Sequence, residues 1–177
     1  MWNGIQEELF SRRFKNVIEA TYQNFFVDCS IERVADYREF RSKLKGIERF
    51  TELSAKVYPP NPLFGRYWDP LRKYMRERNA AEVSLKESQE GQPGLKTEIV
   101  RFLDQILEDP NSEPSLPPAV TDAALLMAAD GYGVGKVTGI QEGSEIVIRT
   151  SDTQKSFLYA KEPVPEDLAV EAVNRFQ

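Results

Sequence analysis

The chain of 177 residues contains no histidine and a single cysteine, Cys29. Histidine is the commonest general base, the usual partner of a serine or cysteine nucleophile and a frequent zinc ligand, so its absence disfavours those sites. One cysteine excludes a disulfide within the chain and cannot supply the four Cys or His ligands of structural zinc. Because Cys29 falls on the apolar side of a predicted strand, we predict an inert core residue.

Long hydrophobic runs are also missing. No apolar stretch approaches the roughly 20 residues that a membrane-spanning helix needs. The N-terminal segment MWNGIQEELFSRRF has neither the continuous apolar core nor the cleavage site of a secretory signal. These absences, with the low cysteine content, predict a cytoplasmic protein that does not associate with membranes.

Positive charge is scarce in the C-terminal part of the chain. Residues 1–80 hold 15 of the 23 Lys and Arg against 11 Asp and Glu, whereas residues 81–177 hold 8 against 17. Such a split indicates either a surface for a polyanion or two surfaces that meet each other. The content of 41% hydrophobic and 29% charged residues is ordinary for a globular protein. We therefore predict one domain over 1–177, with the Pro-rich connection 110–118 as a candidate boundary between subdomains.

Two periodicities of apolar residues alternate along the chain. Spacing by three and four predicts helices at 2–20, 34–47, 69–79, 95–107, 118–130 and from Pro165 onward. Alternation by two predicts strands at 24–33, 50–58, 81–88, 136–141, 145–150 and 156–161. Asp36 and Asp69 are the expected N-caps of their helices, and Glu142-Gly143-Ser144 is typical of a hairpin turn.

The order of these elements predicts an α+β fold. Because every strand has a polar side, we expect helices mainly on one face of a mixed or antiparallel sheet. The early strands are separated by helices, which leaves both parallel crossovers and antiparallel pairing open. The last third predicts a β-meander of three strands followed by a helix.

Basic residues cluster on two of the predicted helices. The stretch 66–78 holds five basic and two acidic residues with three aromatic rings, and a further basic stripe lies on the helix 36–47. Arg and Lys neutralise phosphates and aromatic rings stack on unpaired bases, so both segments are candidates for binding. The candidate residues are Arg38, Arg41, Lys45, Arg66, Tyr67, Trp68, Arg72, Lys73 and Arg76.

A structural interpretation of this basic region competes with the binding one. Leu71, Tyr74 and Met75 share the spacing of a stripe that faces a core, and the chain as a whole is acidic. This favours a solvated helix face with its aromatic side chains in the core. The neighbouring loop Tyr58–Gly65 with Trp68 is equally well explained as an exposed proline–aromatic surface for a partner or as a plug at the end of the core.

Other candidate motifs predict no chemistry. The cluster DGYGVGKVTG, residues 130–139, fits neither glycine-rich phosphate-binding motif and follows a helix, so we interpret it as a helix C-cap leading into the hairpin. The carboxylates form no pattern that is typical of a Mg²⁺ nuclease. The sequence therefore predicts no catalytic residue, no metal ligand and no cofactor.

Two segments resemble an uncharacterised bacterial family associated with mobile elements and phage defence. They are Phe50–Met75, where a strand runs into YPPNPLF, and the later helix that ends in a DGYG turn before a hairpin. The resemblance covers most of the chain. It implies a bacterial cytoplasmic setting, and it implies no established activity and no catalytic residues.

Three hypotheses of function follow, in decreasing order of preference. The first is a non-catalytic module, of bacterial or phage-related origin, that binds another protein or a second copy of itself. The second is a nucleic-acid-binding component that uses the basic helices 36–47 and 69–78. The third is an enzyme that uses carboxylates and Mg²⁺, so the sequence favours a protein that is not an enzyme.

Overall fold

The computed structural model describes residues 7–23, 34–58, 67–109 and 112–153, together with Glu166 and Val170. The chain divides into two compact units, residues 1–31 with 156–177 and residues 32–155. In the first unit, helix α1 (Glu7–Thr21) carries Phe10 and Phe14, whose rings stack at 5.9 Å. The second unit contains the elements on both sides of the Pro-rich connection 110–118, and it contains the site described below.

The second unit is built on an antiparallel sheet. Its four described strands lie in the order β2-β1-β3-β4. They are β1 (Arg49–Val57), β2 (Val83–Ser88), β3 (Gly133–Gln141) and β4 (Ser144–Arg149). Strand β1 pairs antiparallel with both β2 and β3, and β3 pairs antiparallel with β4. The predicted α+β class is confirmed, and the pairing among described strands is the antiparallel alternative.

Helix α5 (Val120–Ala129) forms the centre of this unit. Every residue from Thr121 to Ala129 is at most 2% exposed, and all of them except Thr121 and Asp122 are apolar, as expected of a helix within a core. A side chain added at Gly135 of β3 would meet Leu125 and Ala128, so α5 lies against this face of the sheet. Leu53, Ala55 and Val57 of β1 share the buried face.

Three further helices cover α5 and each other. Helices α3 (Asp69–Glu77) and α4 (Ile99–Glu108) pack against α5, and α2 (Tyr37–Lys45) packs against α4. Asp36 caps α2 as predicted, because its carboxylate accepts from the backbone N–H groups of Arg38 and Glu39. The prediction that Asp69 caps α3 is wrong: Trp68 is the cap residue, and Asp69 lies inside the first turn, 2.5 Å from Arg72.

The predicted hairpin is present between β3 and β4. Glu142 and Gly143 have φ of 50° and 74°, which suits the twist of a two-residue hairpin turn. The hairpin then leads into a 3-10 helix, Thr150–Thr153, so the described part shows the first two strands of the predicted meander and the turn that follows them. No helix within the described ranges is long and apolar enough to cross a membrane.

Several predicted features lie outside the described residues. They are the strand 24–33 with Cys29, the loop 59–66 with Arg66, the third meander strand 156–161 and, except for Glu166 and Val170, the final helix from Pro165.

Candidate functional site

The predicted basic residues of α2 divide into two groups. Arg38 and Lys45 are exposed to solvent. Arg41 is half-buried, and its guanidinium donates to the Asp104 carboxylate of α4. Arg41 therefore joins two helices, and the stripe that is free to meet a partner is narrower than the sequence predicted.

Helix α3 presents its basic residues together with acidic ones. Lys73 and Arg76 are exposed, whereas Arg72 is half-buried beside Asp69. Lys73 lies 3.9 Å from Glu77 in the next turn. The helix thus holds three cations and two acids, which leaves it a net charge of +1. A polyanion would meet little excess charge on this helix.

Tyr74 departs from the predicted core-facing stripe. It is 47% exposed, whereas Leu71 and Met75 are buried, so the prediction that all three face the core is wrong for Tyr74. The Arg78 guanidinium lies 5.6 Å from the centre of the Tyr74 ring. Tyr74 therefore lies at the edge of the apolar stripe, with its ring partly exposed to solvent beside Arg78.

Tyr67 and Trp68 are core residues and do not contribute to a binding surface. Their exposed fractions are 5% and 1%. The Tyr67 hydroxyl lies 2.6 Å from Ser112 Oγ, and its ring meets Phe102 edge-on. The Trp68 ring meets Tyr132 at 5.5 Å. Neither ring has a free face for a nucleic-acid base, which corrects their assignment as stacking residues and favours the core-plug interpretation of Trp68.

A single carboxylate, Asp130 at the end of α5, receives hydrogen bonds from both basic helices. Trp68 Nε1 donates to Asp130 Oδ2 at 2.8 Å, and the Tyr37 hydroxyl donates to Oδ1. Burial raises the pKa of Asp130, and burial with the adjacent carboxylate raises the pKa of Tyr37 well above its ordinary value. The starts of α2 and α3 are therefore fixed to the same partly buried carboxylate.

The face of the sheet opposite α5 carries a row of cations that sequence analysis missed. In the strand register, Lys86 pairs with Ser54, Ser54 with Lys136, and Lys136 with Arg149. These four residues, here called the cationic row, cross all four described strands of the sheet. With strands spaced by about 4.8 Å, the row spans about 14 Å.

Acidic neighbours only partly neutralise this row. The Glu52 carboxylate pairs with Lys136 and lies 2.7 Å from Lys86 Nζ. Hydrogen bonds from Lys136 and then Lys86 lower the pKa of Glu52. Arg149 has a longer contact, 3.7 Å, with Asp152. Lys136 and Arg149 face each other directly, which is an unfavourable cross-strand pair unless an anion lies between them.

A shallow groove of about 330 Å³ lies along the same face of the sheet. Three cations line it, namely Lys56, Lys136 and Arg149, with three hydroxyls from Ser54, Ser84 and Ser151. Ala55, Leu85, Val134 and Gly135 complete the lining, so none of the described carboxylates contributes to it. Lys56 is held by Glu82 at 2.9 Å, which raises the pKa of Lys56. The arrangement can donate hydrogen bonds to an anion.

We expect the ion pairs of Glu52 to make stability fall at acid pH. Because the folded-state pKa of Glu52 is lowered, its contribution is complete above the ordinary value of 4.5 and is lost as pH falls through the folded value. Urea unfolding across this range should show the wild type losing stability relative to Glu52→Gln. If the free energy of unfolding depends on pH in the same way for both proteins, the assigned ion pairs are wrong.

The signal for the cationic row is present in the sequence but incomplete. Alternation places Lys86, Lys136 and Arg149 on the polar sides of their strands, and it does the same for the neighbouring Lys56. It does not say which strands are neighbours, so their convergence could not be predicted. In the described ranges no group of three or more Asp, Glu, Cys or His is placed to hold a metal ion.

No protein-family model, curated protein or solved structure matches the chain.

Proposed function

We propose that the chain is a non-catalytic binding module that receives an acidic protein partner on the face of its sheet opposite α5, here called the open face. The observation that carries the proposal is the cationic row, in which Lys86, Lys136 and Arg149 lie in one line across the sheet. An extended acidic segment that crosses the strands would meet all three charges. Their complementarity would increase the association rate and select for acidic partners.

Apolar contact on the same face supports a protein partner. Val134 and Val147 are 58% and 41% exposed, and both point to the same side as Lys136. Protein interfaces combine such apolar area with charged residues at the rim. The face thus offers charge for selectivity and apolar area for burial.

Nucleic acid bound by α2 and α3 is the alternative proposal, and exposed Arg38, Lys45, Lys73 and Arg76 favour it. The burial of Tyr67 and Trp68 weakens it. Net charge does not separate the two surfaces, because α3 carries +1 and the cationic row with Glu52 and Asp152 also carries +1. A second copy of the chain is a further candidate partner, because residues 81–177 hold 8 basic against 17 acidic residues.

The proposal is tested by fluorescence anisotropy with a labelled peptide of alternating Glu and Ser. We expect the wild type to bind at low salt and to lose affinity as ionic strength rises to about 1 M, where the screening length is about 3 Å. The double variant Lys136→Gln, Arg149→Gln should bind at least about tenfold more weakly, since two charges that face the peptide are gone.

A matched control removes the same charge elsewhere. Lys73→Gln with Arg76→Gln takes two exposed cations from α3, and it should leave peptide affinity within about twofold of wild type if only long-range charge is lost. If this control loses peptide affinity and the Lys136→Gln, Arg149→Gln variant does not, the peptide binds to the helices and not to the sheet. Light scattering on the same samples identifies self-association as the alternative outcome.

A further inference from the structure

The groove on the open face of the sheet has more hydrogen-bond donors than a carboxylate can use. Lys56, Lys136 and Arg149 contribute charge, each beside one carboxylate, from Glu82, Glu52 and Asp152 respectively. Ser54 and Ser84 contribute hydroxyls, whereas the Ser151 hydroxyl donates to Asp152. A carboxylate has two oxygens and one charge. A phosphoryl group has three acceptor oxygens and a charge of about −1.5 to −2 near neutral pH.

We propose that this groove binds the phosphoryl group of a phosphorylated side chain on the partner protein. The inference rests on the proposed function, because it names the chemical group that the binding surface receives. A phosphoryl dianion between Lys136 and Arg149 would relieve the repulsion of this directly opposed pair. The forked guanidinium of Arg149 suits two phosphoryl oxygens, and Lys136 acts as a point charge.

Glu52 regulates this site by competition. Its carboxylate is 18% exposed and already occupies Lys136 and Lys86, so a ligand must share or displace that contact. A dianion competes with this internal carboxylate better than a single carboxylate does. The groove therefore selects phosphoryl over carboxyl ligands, because a carboxylate with one charge gains too little binding energy when it displaces Glu52.

The residues that line the groove also favour a phosphorylated side chain over nucleic acid as the ligand. A phosphodiester carries one charge per phosphate, and recognition of single strands depends on aromatic rings that stack on bases. None of the described residues that line the groove is aromatic, although the Tyr58 ring lies 5.7 Å from Lys56 Nζ. The groove therefore favours a terminal phosphoryl group over a series of stacked bases.

Titration of the full chain with O-phospho-L-serine, followed by amide chemical shifts, tests the inference. We expect saturable shifts at Ser54, Lys136 and Arg149, with an affinity at least about tenfold higher than for L-glutamate. Arg149→Gln should weaken phosphoserine binding about fivefold, whereas Glu52→Gln should strengthen it by a similar factor. Lys73→Gln, which removes an exposed charge from α3, is the control and should bind as the wild type does.

Three outcomes overturn the inference. Equal affinities for phosphoserine and glutamate would show that the groove responds to charge alone, and the proposed binding of acidic segments would survive. A 12-residue oligothymidine that shifts the same amides at equal or lower concentration would assign the groove to nucleic acid. If neither phosphoserine nor the Glu-Ser peptide shifts these amides, the inference and the proposed function both fail.

Discussion

Replacement of Asp130 by alanine is expected to lower the free energy of unfolding by about 2–4 kcal/mol. The change removes the acceptor of two hydrogen bonds, from Trp68 Nε1 and from the Tyr37 hydroxyl. Trp68 is 1% exposed, so its N–H cannot turn to water when the carboxylate is lost. An unpaired buried donor costs more than the net contribution of the bond itself. Urea unfolding of the purified variant measures the loss.

Two variants separate this effect from a general effect of charge. Asp130→Asn keeps one carbonyl acceptor and should cost less than Asp130→Ala, because one of the two donors stays paired. Glu108→Ala, at the exposed end of α4, should change stability by less than about 0.5 kcal/mol. If Asp130→Ala proves as mild as Glu108→Ala, the shared anchoring of α2 and α3 is wrong.

Gly133→Ala should be still more damaging, with a loss of about 3–6 kcal/mol from backbone strain and overpacking combined. Gly133 has a φ of 152°, and a Cβ there would lie 2.1 Å from the Lys56 carbonyl oxygen and 2.8 Å from Val57 Cα. Both atoms belong to the backbone of β1, so relief would require the central strands to separate. A domain with an unfolding free energy of about 5–15 kcal/mol would lose much of it. Thermal unfolding by circular dichroism measures the change.

The hairpin glycine provides the matched control. Gly143 has a φ of 74°, and nothing lies within 4 Å of a Cβ built there. Gly143→Ala therefore adds strain without a clash and should cost about 1–2 kcal/mol. Similar losses at the two positions would contradict the close approach of β3 to β1.

Local signals predicted the elements because the physics that forms them is local. The Asp36 cap, the turn at Glu142-Gly143 and the position of helix α5 in the sequence each depend on residues close together in the chain. The start of α3 was predicted one residue too late, because Pro70 is compatible with either of the first two helical positions. The hydrogen bond that fixes Trp68 as the cap residue comes from Asp130, which is distant in sequence.

Contacts between residues distant in sequence determine the features that could not be predicted. Helical spacing put Tyr74 beside Leu71, yet the ring lies at the edge of the stripe, and only the packing of α3 on α5 leaves it outside. The candidate site shows the same limit more strongly. The alternation within each strand is enough to assign a face to each cation of the cationic row, but their common line requires the strand order and register.

Amide chemical-shift mapping of the ¹⁵N-labelled chain with the Glu-Ser peptide locates the surface that receives the proposed acidic segment. We expect the largest shifts on Ser54, Lys136 and Arg149, and we expect them to disappear in Lys136→Gln, Arg149→Gln. Shifts confined to the exposed residues of α2 and α3, with none on the strands, would contradict the proposed binding on the sheet.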